Sequence, residues 1–102
     1  LNPKYSLLID SLGGYVATYI DYDNAKWADI ETNLLNYLKE QKRLIIIVIE
    51  ETGWGVVPST KLGNKFRDRL GLLSQKLELL STESWLLIHG RAVPLHLIAL
   101  PI

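Results

Sequence analysis

The apolar and polar positions divide this chain into short apolar runs and longer amphipathic segments. One run, residues 44–49, has six consecutive apolar residues and is too short for a buried helix. Because most of its residues are β-branched, it is typical of a strand covered on both faces, as in a parallel sheet between helices. Shorter runs at 5–9 and 85–89 predict two more strands. A last strand within 93–100 is expected at a sheet edge, since prolines disfavour a central position.

Two longer segments have the 3.6-residue periodicity of amphipathic helices. The first covers 25–42, and the second covers 61–81, where Ser59 or Thr60 can cap the first turn. Each is predicted to lie on the sheet through one apolar stripe, with Trp27 as a core anchor. The stripes are Trp27, Ile30, Leu34, Leu35 and Leu38 in the first segment, and Leu62, Phe66, Leu70, Leu73, Leu77 and Leu80 in the second.

A shorter helix is predicted over 12–20, directly after Asp10 and Ser11, either of which can cap it. It contains two adjacent glycines, Gly13 and Gly14, and each costs about 1 kcal/mol in a helix interior. The pair indicates a tight strand-to-helix turn, close backbone packing, or a phosphate or base passing nearby. The residues alone leave these alternatives open.

The resulting order is strand, helix, helix, strand, helix, strand and a final edge strand. Strands that alternate with helices predict an α/β fold, with a mostly parallel sheet and helices on both of its faces. The 102 residues suffice for one small core. Residues 1–102 are therefore interpreted as a single α/β domain or as the carboxyl-terminal part of one.

Composition narrows the classes of function. Eleven basic and eleven acidic residues give a formal net charge of zero, which offers no electrostatic reason to expect nucleic acid or an anionic membrane as a partner. The absence of cysteine excludes disulfides and cysteine-based zinc sites, and it favours a cytoplasmic location. No apolar run approaches the roughly 20 residues that span a bilayer. His89 and His96 have no partners at metal-ligand or catalytic-triad spacing.

Carboxylates follow two of the predicted strands. Asp10 ends the first, and Glu50 and Glu51 end the central one, just before the turn that contains Gly53 and Gly55. If these strands are parallel, the carboxylates meet at the sheet edge where ligands bind in α/β proteins. Such carboxylates can hold Mg²⁺ together with water and phosphate. Alternatively, they stabilise neighbouring helix amino termini.

A charged pair, Arg67 and Asp68, lies in the second long helix. The planar guanidinium of Arg67 is suited to clamp a phosphate, although an ordinary surface ion pair explains the same residues. The Gly-Lys-Ser/Thr phosphate loop that many nucleotide-binding α/β domains carry does not occur in this sequence.

Three segments together resemble the bifunctional adenosylcobinamide kinase / adenosylcobinamide-phosphate guanylyltransferase family of cobalamin biosynthesis. They are Leu-Leu-Ile-Asp-Ser-Leu at 7–12, Glu-Thr-Gly-Trp-Gly-Val-Val-Pro at 51–58, and Phe-Arg-Asp at 66–68 followed by Gly71, Ser74 and Gln75. Glu50 and Ser74 stand where the family usually has asparagine. Serine and glycine at 11 and 13 replace the usual cysteine and threonine, and Asn64 replaces a basic residue.

The resemblance implies a P-loop NTPase-like fold, of which this chain is the carboxyl-terminal part without the P-loop and the guanylylated histidine. Family enzymes phosphorylate adenosylcobinamide with ATP or GTP, then transfer GMP to the product, and they use Mg²⁺. The resemblance also implies a homo-oligomer. It assigns no catalytic residue here, but it implies Mg²⁺ binding at Asp10 and nucleotide binding at Asp10, Glu51, Gly53, Gly55, Arg67 and Asp68.

Two other interpretations remain. A non-catalytic remnant would keep the scaffold and act as a binding or assembly module through unfinished sheet edges. An unrelated α/β domain would bind a small anion at a helix start. In each interpretation, residues 1–102 alone are expected neither to hydrolyse nor to transfer nucleotide, because no loop among them can cradle phosphates.

Overall fold

A computed structural model describes residues 5–50 and 60–98. The predicted order of the first six elements is confirmed, with bounds that differ by a few residues. The elements are β1 (Leu7–Asp10), α1 (Leu12–Thr18), α2 (Asn24–Glu40), β2 (Ile45–Val48), α3 (Lys61–Leu80), β3 (Trp85–Ile88), β4 (Arg91–Pro94) and α4 (Leu95–Ile98). None of the described helices is long and apolar enough to cross a membrane.

Strands β1 and β2 are adjacent and parallel, as the sequence predicts. Their register runs from Leu7 opposite Ile45 to Asp10 opposite Val48, and the Leu7 amide donates a 2.9 Å hydrogen bond to the Leu44 carbonyl. The connection between them contains both α1 and α2, as parallel pairing requires a long crossover.

Only one face of this parallel pair is covered. Exposure alternates along both strands, so that Leu8 is 61% exposed and Ile46 is 50% exposed, whereas their neighbours along each strand are partly buried. The expectation that the central run is covered on both faces, with helices on both, is therefore wrong for the described residues. The reason is that an unbroken apolar run does not encode which face the helices cover.

Strands β3 and β4 form a separate antiparallel hairpin. His89 and Gly90 both have positive φ, 49° and 73°, and they form a two-residue turn of the kind that joins hairpin strands. So short a turn cannot provide a parallel crossover. The prediction that 85–89 joins a parallel sheet is therefore wrong for the described residues.

The expected strand over 93–100 is also only partly correct. Strand β4 ends at Pro94, and the next residues form the short helix α4. The structure thus places the last two residues of the hairpin, Val93 and Pro94, and then one helical turn where the sequence predicts an edge strand.

The hydrophobic core lies between α1, α2 and α3. Trp27 is 6% exposed, which confirms its prediction as a core anchor. The predicted stripes are confirmed in their central parts, but Leu62 and Leu80, at the two ends of α3, are exposed. The buried core residues are Leu12, Val16, Trp27, Leu70, Leu73 and Leu77.

A buried arginine connects α3 to the turn between α1 and α2. Arg69 is 5% exposed, and it donates to the carbonyls of Tyr19 (3.2 Å) and Tyr22 (2.7 Å). It also donates to Asn24 Oδ1 at 3.2 Å. Its guanidinium carbon lies 5.3 Å from the centroid of the Trp27 ring, within the range of cation–π attraction. One side chain therefore orients three helices.

A second polar contact joins α2 and α3 two turns further along. Lys76 donates to the buried carboxylate of Glu31. Because Arg69 and Lys76 are seven residues apart, they share one face of α3. The helix pair is thus held by two polar contacts in addition to its apolar contacts.

Two helices begin with side-chain caps. Thr60 Oγ1 accepts from the Gly63 amide at 2.9 Å, which confirms the predicted cap of α3. Asp23 Oδ1 accepts from the Lys26 amide at 2.8 Å at the start of α2. In contrast, Ser11 makes no side-chain cap at the start of α1.

We expect Arg69→Ala to lower the free energy of unfolding by about 2–4 kcal/mol, because it removes charged hydrogen bonds and leaves carbonyls unsatisfied. Urea unfolding of the full chain measures this change. Arg67→Ala is the matched control: Arg67 is the same residue type on the same helix, but it is exposed, so its effect should stay within about 0.5 kcal/mol. Equal effects of the two substitutions would contradict the role assigned to Arg69.

Candidate functional site

The carboxyl ends of β1 and β2 bring two carboxylates to one edge of the parallel pair. Asp10 is the last residue of β1 and lies opposite Val48, the last residue of β2. Glu50 follows two positions later. The predicted shared edge is therefore confirmed for Asp10 and Glu50. Glu51, predicted at the same edge, lies outside the described residues.

Neither carboxylate is committed to a protein partner. Asp10 and Glu50 are both exposed, and neither takes part in a hydrogen bond or an ion pair within the described residues. Each ionised carboxylate has two oxygens that can accept several hydrogen bonds or bind a cation. These oxygens are thus available to a ligand.

The carboxylate of Glu50 lies against the first turn of α1. A Cβ atom added to Gly13 would stand 2.3 Å from Glu50 Oε2 and 3.5 Å from Cζ of Phe66. Any side chain at position 13 would therefore meet the carboxylate. At Gly14, in contrast, an added Cβ would meet nothing within 4 Å. Of the explanations for the glycine pair, close packing applies at Gly13.

This contact has an electrostatic consequence for α1. The helix has no acidic residue in its first turn and no side-chain cap from Ser11. Glu50 places a negative charge beside this amino terminus, where the helix dipole favours it. The end of β2 is thereby connected to the junction of β1 and α1.

The charged pair of α3 is arranged differently from the strand-end carboxylates. Arg67 Nη2 donates to Asn64 Oδ1 at 3.3 Å, and Arg67 Nε lies 3.9 Å from Asp68 Oδ1. Both side chains are exposed, and within the described residues neither forms a hydrogen bond or ion pair with Asp10. Phe66, the first residue of the same motif, is the one that reaches the Gly13–Glu50 contact. The predicted nucleotide-binding role of Arg67 and Asp68 stays a prediction.

The glycine turn predicted to line the cleft, with Gly53 and Gly55, lies outside the described residues. In the described ranges, no three or more histidine, cysteine, aspartate or glutamate side chains group into a metal site. Magnesium does not need such a group, since it keeps several waters and binds through one or two carboxylates plus phosphate. The exposed carboxylates of Asp10 and Glu50 fit that requirement.

The two histidines belong to the hairpin and α4. His89 is exposed in the hairpin turn. The Nδ1 atom of His96 lies 3.0 Å from the Ser84 carbonyl oxygen and 3.2 Å from the Ser84 amide nitrogen. Its ring also meets the Trp85 ring edge to face at 5.3 Å. These contacts give His96 a structural role.

The arrangement defines an α/β protein whose available polar groups lie at the carboxyl ends of parallel strands, the usual place for ligands in this class. A family model described as cobinamide kinase / cobinamide phosphate guanyltransferase matches residues 2–95. The chain therefore belongs to this family, and the resemblance drawn from its three motifs is confirmed.

Two curated relatives match part of the chain. Both are named bifunctional adenosylcobalamin biosynthesis protein CobU, one from Escherichia coli (strain K12) and one from Salmonella typhimurium (strain LT2). Each is 37% identical over 49 residues, which is 48% of this chain and 27% of the relative. The matched segment thus spans about a quarter of each relative's length.

The sequence did not identify the packing of Glu50, Gly13 and Phe66, although it placed Glu50 among the strand-end carboxylates that can hold Mg²⁺ or stabilise a helix amino terminus. Its signal is a glycine in the first turn of the helix that follows one strand, combined with an acidic residue after the neighbouring strand. This signal is recognisable only once the two strands are known to be adjacent.

We expect Gly14→Ala to raise the free energy of unfolding by about 0.5–1 kcal/mol, since alanine is the better helix former and the position is open. Gly13→Ala should give a smaller gain or a small loss, because the Glu50 side chain must rotate away. Urea unfolding of both variants measures the difference.

The same two substitutions in a Glu50→Ala background provide the control. Without the carboxylate, Gly13→Ala and Gly14→Ala should have closely similar effects. A difference that persists in this background would show that Glu50 is not what restricts position 13.

Proposed function

We propose that this protein acts in cobalamin biosynthesis as an adenosylcobinamide kinase and adenosylcobinamide-phosphate guanylyltransferase. The observation that carries the proposal is the family match over 2–95, combined with free carboxylates at the shared edge of β1 and β2. In this proposal the chain supplies the part of a P-loop NTPase-like domain that follows the P-loop and the guanylylated histidine.

The proposed substrates are a nucleoside triphosphate, ATP or GTP, and adenosylcobinamide. Asp10 would hold Mg²⁺, directly or through water, at the end of β1. When bound, Mg²⁺ supplies positive charge that stabilises a transferring phosphoryl group. To hold the cation, the protein must supply an anionic oxygen at a fixed position. The end of a hydrogen-bonded strand would provide such a position.

The other predicted nucleotide-binding residues would surround the same edge. Glu51 and the turn with Gly53 and Gly55 continue from β2. Arg67 presents a planar fork that suits phosphate oxygens. Asp68 would lie beside this guanidinium, since Arg67 Nε is 3.9 Å from Asp68 Oδ1.

A second candidate function is a binding or assembly module without catalysis. It is favoured by the uncovered apolar face of β1 and β2, which exposes Leu8, Ile46 and Val48. In addition, the unpaired edges of a two-stranded sheet can hydrogen-bond to further strands. In this case the protein would self-associate or bind a partner, and the proposed homo-oligomer would be its functional form.

One assay distinguishes the two functions. The polypeptide that the gene encodes is incubated with adenosylcobinamide, Mg²⁺ and labelled ATP or GTP. The kinase and transferase proposal expects labelled adenosylcobinamide phosphate and adenosylcobinamide-GDP. Absence of both products, together with self-association in light scattering, would favour the assembly module.

Residues 1–102 by themselves should remain unlabelled by GTP and Mg²⁺, because none of the histidines present lies in the family's guanylylation context. Stable, acid-labile labelling of His89 or His96 would contradict this expectation. Mass spectrometry of the labelled peptides would identify the residue.

In the active enzyme, we expect Asp10→Asn to reduce turnover by roughly 10- to 100-fold, which corresponds to about 1.4–2.7 kcal/mol of transition-state stabilisation. The substitution keeps size and hydrogen bonding but removes the charge that holds the cation. Excess Mg²⁺ should restore part of the rate. Steady-state kinetics across a Mg²⁺ titration provide the measurement.

Asp29→Asn is the control for this substitution, since Asp29 is an exposed carboxylate on α2. It should leave turnover unchanged. Normal turnover of Asp10→Asn at every Mg²⁺ concentration would show that Asp10 serves only to stabilise α1.

A further inference from the structure

We propose that the outer edge of β3 pairs antiparallel with the same edge of a second copy of this chain, so that two hairpins form one continuous sheet. The inference rests on the homo-oligomer of the proposed function, and it names the surface through which two copies meet. This surface belongs to the hairpin of β3 and β4, a sheet separate from β1 and β2. The strand-end carboxylates take no part in it.

The hairpin leaves backbone groups on the outer edge of β3 without a partner. In an antiparallel pair, hydrogen-bonded residue pairs alternate with pairs whose amides and carbonyls point outward. The two-residue turn at 89–90 makes its flanking residues, Ile88 and Arg91, a hydrogen-bonded pair. The next pair is Leu87 with Ala92. Leu87 therefore directs its amide and carbonyl away from β4.

A hydrogen bond at the other end of β3 supports the same alternation. The Leu95 amide donates to the Ser84 carbonyl at 2.9 Å, which makes these residues another hydrogen-bonded pair. Trp85 lies between Ser84 and the hydrogen-bonded pair at Leu86, so its backbone groups also point outward. In the described part of the chain, no further strand pairs with this edge.

The outer edge of β4 is less suited to pairing. Its outward groups belong to Ala92 and Pro94, and proline has no amide hydrogen to donate. Proline is a usual means of protecting an edge strand from further pairing. The edge of β3 carries donors and acceptors at both of its outward residues, so it is the edge that we assign to the contact.

One face of the hairpin is apolar and exposed. Directly opposed residues of an antiparallel pair have their side chains on the same face, so Trp85 and Leu87 share a face with Pro94 and Ala92. All four side chains are apolar. Leu87 is 76% exposed and Trp85 is 50% exposed. Pairing of two β3 edges would make these side chains neighbours across the contact and remove apolar surface from water.

Charge complementarity favours a second copy as the occupant of this edge. An antiparallel pairing centred on Leu86 sets Trp85 opposite Leu87 of the second copy. The same register sets Glu83, just before β3, opposite His89, just after it. The two ends of the edge are thus complementary to each other, and a two-fold axis brings them together twice. Parallel pairing would instead bring two glutamates together.

Both end residues can form this contact. One carboxylate oxygen of Glu83 accepts a hydrogen bond from Trp85 Nε1 at 3.2 Å, and the carboxylate has a second oxygen. The ion pairs in the described ranges do not include Glu83. His89 is exposed in the turn, and its imidazole can donate to a carboxylate.

Sedimentation equilibrium of the polypeptide that the gene encodes measures this contact. The unmodified polypeptide should dimerise at micromolar concentration. Leu87→Pro removes an outward amide that β4 does not use, so it should raise the dimer dissociation constant by about tenfold or more. Ala92→Pro is the matched control, because it removes an outward amide from the β4 edge. It should leave the dissociation constant unchanged.

Exchange of the two end residues tests the register without changing the backbone of the strand. Glu83→Lys removes the attraction to His89, and His89→Asp places two carboxylates opposite each other. Each variant alone should dimerise more weakly than the unmodified polypeptide. An equimolar mixture of the two should recover association, because the introduced lysine of one chain then faces the introduced aspartate of the other. Failure of the mixture to recover would contradict the antiparallel register.

The outcomes separate the inference from the proposed function. If the polypeptide self-associates but Leu87→Pro and Ala92→Pro do not differ, the inference is wrong and the homo-oligomer stands. If the unmodified polypeptide is monomeric, both the inference and the homo-oligomer are wrong, as when a strand of the same polypeptide occupies the edge. The product assay with adenosylcobinamide decides independently about the activity.

Discussion

The buried guanidinium of Arg69 is the contact on which the arrangement of this protein depends. It joins α3 to backbone carbonyls about fifty residues earlier in the chain, and it packs on the Trp27 ring. Burying a charge is costly unless it is hydrogen-bonded, so the turn between α1 and α2 must present its carbonyls to the two terminal nitrogens of this side chain. The buried Nε atom has no hydrogen-bond partner within the described residues. The orientation of α1 follows from that requirement.

The candidate site is a consequence of the same orientation. Helix α1 begins directly after β1, and its first turn meets the end of β2 through Gly13 and Glu50. The core thus positions the helix, whose first turn lies beside the Glu50 carboxylate at the sheet edge. Asp10 gains a fixed place because it ends a strand that is hydrogen-bonded to its neighbour.

The uncovered apolar faces bear on both proposed functions. A parallel sheet is normally covered on both sides, whereas the described part of this chain covers only one. The side chains of Leu8 and Ile46 are therefore available to further structure, whether that belongs to the same polypeptide or to another one. The hairpin of β3 and β4 exposes apolar side chains too, including Leu87 at 76%. An enzyme and an assembly module would each require these surfaces to be covered.

The sequence by itself determined the order and approximate positions of the first six helices and strands, the central parts of the apolar stripes of α2 and α3, a cap at Ser59 or Thr60, and the family. These features are encoded locally, by periodicity, by capping residues and by motif order. Only the tertiary structure decided which face of β1 and β2 is buried, that 85–94 forms a hairpin, and that Glu50 meets Gly13. The apolar run at 44–49 has the same composition on both faces, and His89 is not a usual residue for a hairpin turn. Contacts such as those of Arg69 join residues that are distant in the chain, so no local pattern can encode them.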